Sequence, residues 1–74
     1  MDAVVEITQA VLLPELMTGL ADLGCFTEPL APAACRVVQP HDSNPEHARV
    51  ELDFFLRAWE IRHPGVETAV SYLN

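Results

Sequence analysis

The segment NPEHARVELDFFLRAWEIRHPG, residues 44–65, carries the start and stop signals of one long helix and decides how the rest of the chain can pack. Asn44 can cap free backbone N–H groups, and Pro45 suits the first helical position because its missing donor costs nothing there. The Pro-Gly pair that ends the segment cannot continue a helix. We therefore predict a helix over residues 45–63.

The apolar residues of this helix do not fit on one face. At about 100° per residue, one set forms an ordinary core stripe. A second set lies on another side of the helix, separated from the first by Glu51 and Arg62. A helix that lies on a sheet needs only one such arc. The first arc contains Ala48, Leu52, Phe55, Leu56, Trp59 and the edge of His63, and the second arc contains Val50, Phe54, Ala58 and Ile61.

The second arc predicts contact with another chain. Small monomers seldom expose a contiguous apolar patch that includes a large aromatic side chain. We therefore expect Val50, Phe54, Ala58 and Ile61 to form an interface, and a homodimer is the simplest partner arrangement. The alternative is that a loop of the same chain covers this arc. Neither interpretation implies chemistry.

Length and composition indicate one small folded domain over residues 1–74. Half of the residues are hydrophobic, which is too many for a disordered tail, and prolines and charges interrupt every apolar run before it could span a membrane. The first residues lack the basic start of a secretory signal, so we expect a cytoplasmic location. Eleven acidic residues against four arginines give a formal charge of -7. This charge repels phosphate backbones and anionic lipids, and we expect no nucleic-acid or membrane partner.

Upstream of the long helix, the sequence predicts a strand and then a shorter helix. Residues 3–8 are rich in β-branched side chains, with Val5 and Ile7 on one face, although a helical start stays open. Residues 14–23 follow as an amphipathic helix that Gly24 ends. Its leucines at positions 13, 16, 20 and 23 share one face. Gly19 inside this helix indicates close packing of the backbone against a neighbour, and the alternative is a tolerated loss of helix stability.

A hairpin and a closing strand complete the pattern. We predict a weak first arm at residues 25–27, a proline-containing bend over residues 28–32 and a stronger second arm at residues 35–39. The prolines are acceptable only at a sheet edge, where no partner needs the missing N–H. Residues 66–73 alternate as a strand. Its side chains on one side are Val66, Thr68, Val70 and Tyr72.

The order strand, helix, two strands, helix, strand predicts an α+β fold of the ferredoxin-like βαββαβ type. In that arrangement an antiparallel sheet carries both helices on one face. The alternative omits the weak arm and leaves a three-stranded βαβαβ unit. In either case the chain forms a single layer of strands against helices.

The candidate chemistry is sparse. A bend centred on Leu30 would place Cys25 and Cys35 opposite each other, but without a secretion signal we interpret them as buried reduced thiols. His41, Asp42, His47 and Glu51 are the nearest approach to a metal site, yet their spacing matches no recognised pattern. We therefore predict no metal and no cofactor.

Other polar and aromatic residues have ordinary structural explanations. His63 lies in the last helical turn, where the negative helix end favours its protonated form, and a pH switch is the alternative role. Trp59 and Tyr72 could stack on a ligand, but the spacing places Trp59 in the core stripe. Glycine-rich phosphate loops and nucleophile motifs do not occur in the sequence. We therefore predict no catalytic residues.

Three functions follow in order of preference. The first is a small interaction or regulatory module that homodimerises through the second arc or the open sheet face. The second is a small-molecule sensor with its ligand between the sheet edge and the dimer contact, although the first strand-to-helix junction has no glycine, which disfavours it. The third is a small enzyme that uses His41 or His63 with a carboxylate beside it.

Overall fold

The computed structural model describes residues 2–39 and 44–73, which form four strands and two helices. The 3₁₀ turn Ala10–Leu12 leads directly into the first helix. The chain begins in a strand, so the open choice between strand and helix at the start is settled. In chain order the elements are β1 (Asp2–Ile7), α1 (Leu13–Asp22), β2 (Phe26–Ala31), β3 (Ala34–Val38), α2 (Pro45–Arg62) and β4 (Thr68–Tyr72).

The four strands form one antiparallel sheet in the order β2-β3-β1-β4. Strand β1 pairs with β3 on one side, where Val5 is opposite Cys35, and with β4 on the other, where Val5 is opposite Val70. The predicted α+β class with four strands and two helices is therefore confirmed. The three-stranded alternative is wrong, because residues 26–31 pair with β3 along most of their length.

The core lies on one side of this sheet. Alternate residues of the two central strands are fully buried there and join the buried leucines of both helices in one cluster. Every second residue of β1 and β3 is buried, and the buried residues of α1 and α2 recur with the helical period. The buried faces of the strands and helices therefore meet in one layer. The buried residues from the strands are Ala3, Val5, Ile7, Cys35 and Val37.

Helix α1 confirms three of its four predicted core leucines and corrects one. Leu13, Leu16 and Leu20 are buried, but Leu23 is 52% exposed. Leu23 is the residue that follows the last helical residue, Asp22, and caps the end of the helix. Gly24 adopts a φ of 91°, the left-handed conformation that typically ends a helix.

The predicted close approach at Gly19 is confirmed. A Cβ atom at this position would lie 2.9 Å from the Cζ atom of Phe55. The missing side chain therefore leaves room for a phenyl ring of α2 to rest on α1. This contact joins α1 to α2.

The hairpin turn falls later than the sequence predicts. Strand β2 continues through residues 28–31, and a bulge between Pro29 and Ala31 precedes the turn. Pro29, and not Cys25, is therefore opposite Cys35. The predicted facing of Cys25 and Cys35 is therefore wrong, whereas the predicted burial of both cysteines is confirmed, and the two are not bonded to each other. Burial raises the pKa of each thiol.

The boundaries of α2 are close to the predicted ones because its end signals are local. The side-chain Oδ1 atom of Asn44 accepts hydrogen bonds from the backbone N–H groups of Glu46 and His47, at 3.1 and 3.3 Å. These bonds satisfy donors that have no partner inside the helix. At the other end, Gly65 has a φ of 92° and turns the chain toward β4. Among the described residues, no helix is long and apolar enough to cross a membrane.

Candidate functional site

The first apolar arc of α2 packs on the sheet as predicted. Ala48, Leu52, Leu56 and Trp59 are each no more than 2% exposed. Phe55 is half-buried because it lies at the margin of the arc, over Gly19. Trp59 is therefore a core residue and is closed to a stacking ligand.

The second arc is open to solvent. Val50, Phe54 and Ile61 are 66%, 75% and 79% exposed, and only Ala58 is half-buried. The alternative in which the same chain covers this arc therefore does not hold for the three large side chains. They occupy the side of α2 that points away from the sheet, where no described element of the chain lies against them.

A shallow apolar groove continues this surface toward α1. It has a volume of about 480 Å³ and is lined by Leu23, Val50, Glu51, Phe54, Phe55 and Ala58. The exposed Leu23 thus joins the α2 residues in one apolar surface. Sequence reasoning missed this surface because the leucine spacing predicts Leu23 on the buried face of α1. We use the name α2 outer surface for Leu23, Val50, Phe54, Ala58 and Ile61.

Charge is distributed unevenly around the α2 outer surface. The first half of the helix carries Glu46, Arg49, Glu51 and Asp53, and the second half carries Arg57, Glu60 and Arg62. One ion pair joins the halves, with 3.2 Å between the Nε atom of Arg57 and the Oδ2 atom of Asp53. Three acidic side chains against one arginine give the N-terminal half a net negative charge, and two arginines against one glutamate give the C-terminal half a net positive charge. This polarity opposes its macrodipole, whose positive end lies at the acidic half.

His63 links the end of α2 to α1. Its Nδ1 atom lies 2.8 Å from the carbonyl oxygen of Trp59, and its Nε2 atom lies 3.2 Å from the Oε1 atom of Glu15. Its ring also stacks on Trp59, with 4.2 Å between centroids. The bond to Trp59 and the nearby Glu15 carboxylate raise the pKa of His63, although desolvation and Arg62 lower it. An imidazolium can donate from both nitrogens, so this geometry suits the protonated form.

The structure thus brings one predicted histidine to a carboxylate. His63 and Glu15 lie in a shallow groove between the helices, together with Thr18. The Thr18 hydroxyl donates to the Pro14 carbonyl oxygen at 3.0 Å, which engages its proton within α1. The arrangement joins α1 to the end of α2 and explains the position of His63 without catalysis.

Within residues 2–39 and 44–73, no three His, Cys, Asp or Glu side chains come close enough together to bind a metal ion. The Nδ1 atom of His47 lies 3.7 Å from the Oε1 atom of Glu51 on the predicted helix face, and both side chains are well exposed. His41 and Asp42 lie outside the described residues. The histidine and glutamate pair is an ordinary i to i+4 contact on a solvated face.

A second groove runs between α2 and the β4 edge of the sheet. It is lined by Asp53, Leu56, Arg57, Glu60, Thr68, Val70 and Tyr72 and has a volume of about 480 Å³. At one end, the Oε2 atom of Glu60 accepts hydrogen bonds from the Thr68 backbone N–H and hydroxyl, each at 2.7 Å. At the other end, the Arg49 guanidinium lies over the Tyr72 ring, 4.6 Å from its centroid. Sequence reasoning missed this site because it depends on tertiary contacts.

Comparison with known proteins returns no relative: no family model, no curated protein and no solved structure matches this chain.

Proposed function

We propose that this protein is a small interaction or regulatory module that works as a homodimer, with the α2 outer surface as the contact between copies. The observation that carries the proposal is the exposure of Val50, Phe54 and Ile61 on one side of a well-capped helix. Placing such side chains against a partner removes apolar surface from water, which stabilises association by about 25 cal/mol per Å² before the cost of ordering.

The charges of α2 favour a second copy as the partner. If two α2 helices pack antiparallel across a two-fold axis, the half of each with net negative charge lies along the half of the other with net positive charge. The opposed macrodipoles add a further favourable term. In this arrangement Val50 of one copy approaches Ile61 of the other, with Phe54 close to the axis. Contacts of this isologous type close into a dimer.

We assign the fold to the ferredoxin-like class on its element order and strand order. The βαββαβ order and the sheet order β2-β3-β1-β4, with all neighbours antiparallel, support this assignment. We also propose a cytoplasmic location, which is consistent with two free thiols, because reducing compartments keep cysteines in that state. Neither assignment identifies the process that the module serves.

The proposal is tested by light scattering coupled to size-exclusion chromatography over a dilution series. We expect a mass at least twice that of the 8.2 kDa chain, and we expect Phe54→Ser to lower that mass at least twofold. Phe26→Ser is the matched control, since Phe26 is a 67% exposed phenylalanine on the open face of the sheet. A wild-type monomer at high micromolar concentration, or loss of assembly in the Phe26 variant alone, contradicts the proposal.

A further inference from the structure

The two edges of the sheet differ in how they resist pairing with another strand. Strand β2 carries Pro29 and a bulge between Pro29 and Ala31, and both devices commonly protect an exposed edge. Strand β4 has the sequence TAVSY, which contains no proline and no charged residue. The β4 edge therefore lacks the protection that the β2 edge has.

The alternation of the backbone shows which groups of β4 point outward. The Thr8 N–H donates to the Glu67 carbonyl at 3.1 Å, and the Leu73 N–H donates to the Asp2 carbonyl at 3.0 Å. In an antiparallel ladder the residues between such pairs point their N–H and C=O groups the other way. The backbone groups of Thr68, Val70 and Tyr72 therefore face the open edge.

One of these outward groups already has a partner. The Thr68 N–H donates to the Glu60 carboxylate, which confirms that this position faces the edge. Within residues 2–39 and 44–73, the outward N–H groups of Val70 and Tyr72 make no hydrogen bond with the protein. A strand that docked here would therefore bind around Val70 and Tyr72, and the Glu60 contact would limit its extent at Thr68.

We propose that β4 pairs antiparallel with β4 of a second copy, so that two sheets join edge to edge. A two-fold axis at Val70 places the two Val70 residues opposite each other and Tyr72 opposite Thr68 of the second copy. The Val70 N–H groups then donate reciprocally to the two Val70 carbonyls, and each Tyr72 N–H donates to a Thr68 carbonyl. A large side chain faces a small one at both ends of the pair.

The charges along α2 identify a second copy as the occupant. The charged residues of α2 that lie beside β4 alternate in sign, in the order Arg49, Asp53, Arg57 and Glu60. The same two-fold axis places Arg49, which lies over Tyr72, toward Glu60 of the second copy, which lies over Thr68. Asp53 likewise comes toward Arg57 of the second copy. Every such approach is between opposite charges, which is the complementarity that a specific interface needs.

This contact is separate from the α2 outer surface and does not depend on it. Strand β4 forms one edge of the sheet, whereas Val50, Phe54 and Ile61 lie on the side of α2 that points away from the sheet. Two different isologous contacts on one chain give a tetramer when their two-fold axes cross at right angles, and other arrangements of the axes give larger closed or open assemblies. The two contacts can therefore be separated by mutation.

The test uses Val70→Pro in the full chain, with mass measured by light scattering. Proline at this position removes the outward N–H and none of the hydrogen bonds to β1. The variant should therefore fold and keep the circular dichroism spectrum of the wild type. Thr27→Pro is the matched control, because it places a proline at an outward position of the other edge. We expect Val70→Pro to lower the assembly mass at least twofold and Thr27→Pro to leave it unchanged.

A surface charge reversal keeps the proposal testable if the proline variant fails to fold. Arg49→Glu brings two carboxylates together across the axis, so we expect the dissociation constant of this contact to rise at least tenfold at low salt. Arg62→Glu is the control, because Arg62 is an exposed arginine of α2 outside the groove, and both reversals are made in the Phe54→Ser background so that the α2 contact does not contribute. Equal effects of the two reversals overturn the edge pairing.

The combination with Phe54→Ser distinguishes the two contacts. If both contacts form, Phe54→Ser and Val70→Pro each leave a dimer and the double variant is a monomer. A wild-type dimer that Phe54→Ser dissociates and that neither Val70→Pro nor Arg49→Glu affects overturns the edge pairing and supports the α2 contact. A wild-type dimer that only the β4 variants dissociate gives the reverse result. A wild-type monomer at high micromolar concentration overturns both.

Discussion

Helix α2 presents two apolar arcs of similar composition whose surroundings differ completely. Leu52 and Leu56 on one arc are almost fully buried, whereas Phe54 and Ile61 on the other are more than 70% exposed. Both arcs belong to one helix, so the same first and last residues of α2 position them. The difference therefore comes from the neighbours of the helix, because the small sheet and α1 can cover only one side of it. Apolar side chains on the first arc stabilise the fold, and we infer that those on the second stabilise association.

The largest expected effect is on the buried arc. Leu56→Ala removes a fully buried side chain between α2 and the sheet and should lower the free energy of unfolding by about 2–5 kcal/mol. For a small domain this is a large fraction of the total stability. Urea denaturation followed by circular dichroism measures the change. A loss below about 1 kcal/mol would mean that this arc packs more loosely than the structure indicates.

A smaller effect is expected at Asn44, which caps the start of the helix that carries both arcs. Asn44→Ala removes the acceptor for the N–H groups of Glu46 and His47 and should lower the free energy of unfolding by about 1 kcal/mol. Asn44→Ser, which keeps a capping oxygen, is the control and should recover most of the loss. Equal losses in the two variants would exclude capping as the cause.

The exposed arc should contribute little to the stability of a single chain. Under conditions where the protein is monomeric, Phe54→Ser should change the free energy of unfolding by no more than about 0.5 kcal/mol. The adjacent Phe55 supplies the comparison, because it rests on Gly19 and Phe55→Ser should cost about 1–3 kcal/mol. Equal losses at the two phenylalanines would remove the distinction between the arcs.

The smallest expected effect is the pH dependence at the end of α2. The pKa of His63 is raised in the folded chain, so its contribution to stability is present below the pKa of the unfolded chain, about 6.5. That contribution is lost as the pH rises through the folded pKa. The stability difference between the wild type and His63→Gln should therefore be larger at pH 6 than at pH 8. Urea titrations at both pH values measure it, and a larger difference at pH 8 contradicts the bond to Glu15.

Signals that lie within a few residues of each other were predictable from the sequence. The Asn44 cap, the buried arc and the period-two pattern of β4 each follow from local backbone geometry, and the structure confirms them. Gly19 also predicted a structural feature correctly. A glycine inside a helix lowers its stability and commonly marks a close contact, which the structure shows between Gly19 and Phe55.

The errors arose where a shift of one or two residues changes the outcome. Leu23, which follows the last residue of α1, is exposed, and the later hairpin turn places Pro29, and not Cys25, opposite Cys35. Registers of this kind are set by long-range pairing and by turn geometry. The Glu60 contact with Thr68 and the charge series along the β4 groove depend on how α2 lies over the sheet, so periodicity could not predict them.

The central claim is that a second copy covers the second arc of α2. The most direct measurement is an isotope-filtered NOE spectrum of an equimolar mixture of ¹³C-labelled and unlabelled chains. We predict NOEs between the Phe54 ring of one copy and the Val50 or Ile61 methyl groups of the other. A millimolar sample in which these side chains show only NOEs within their own chain would contradict the claim.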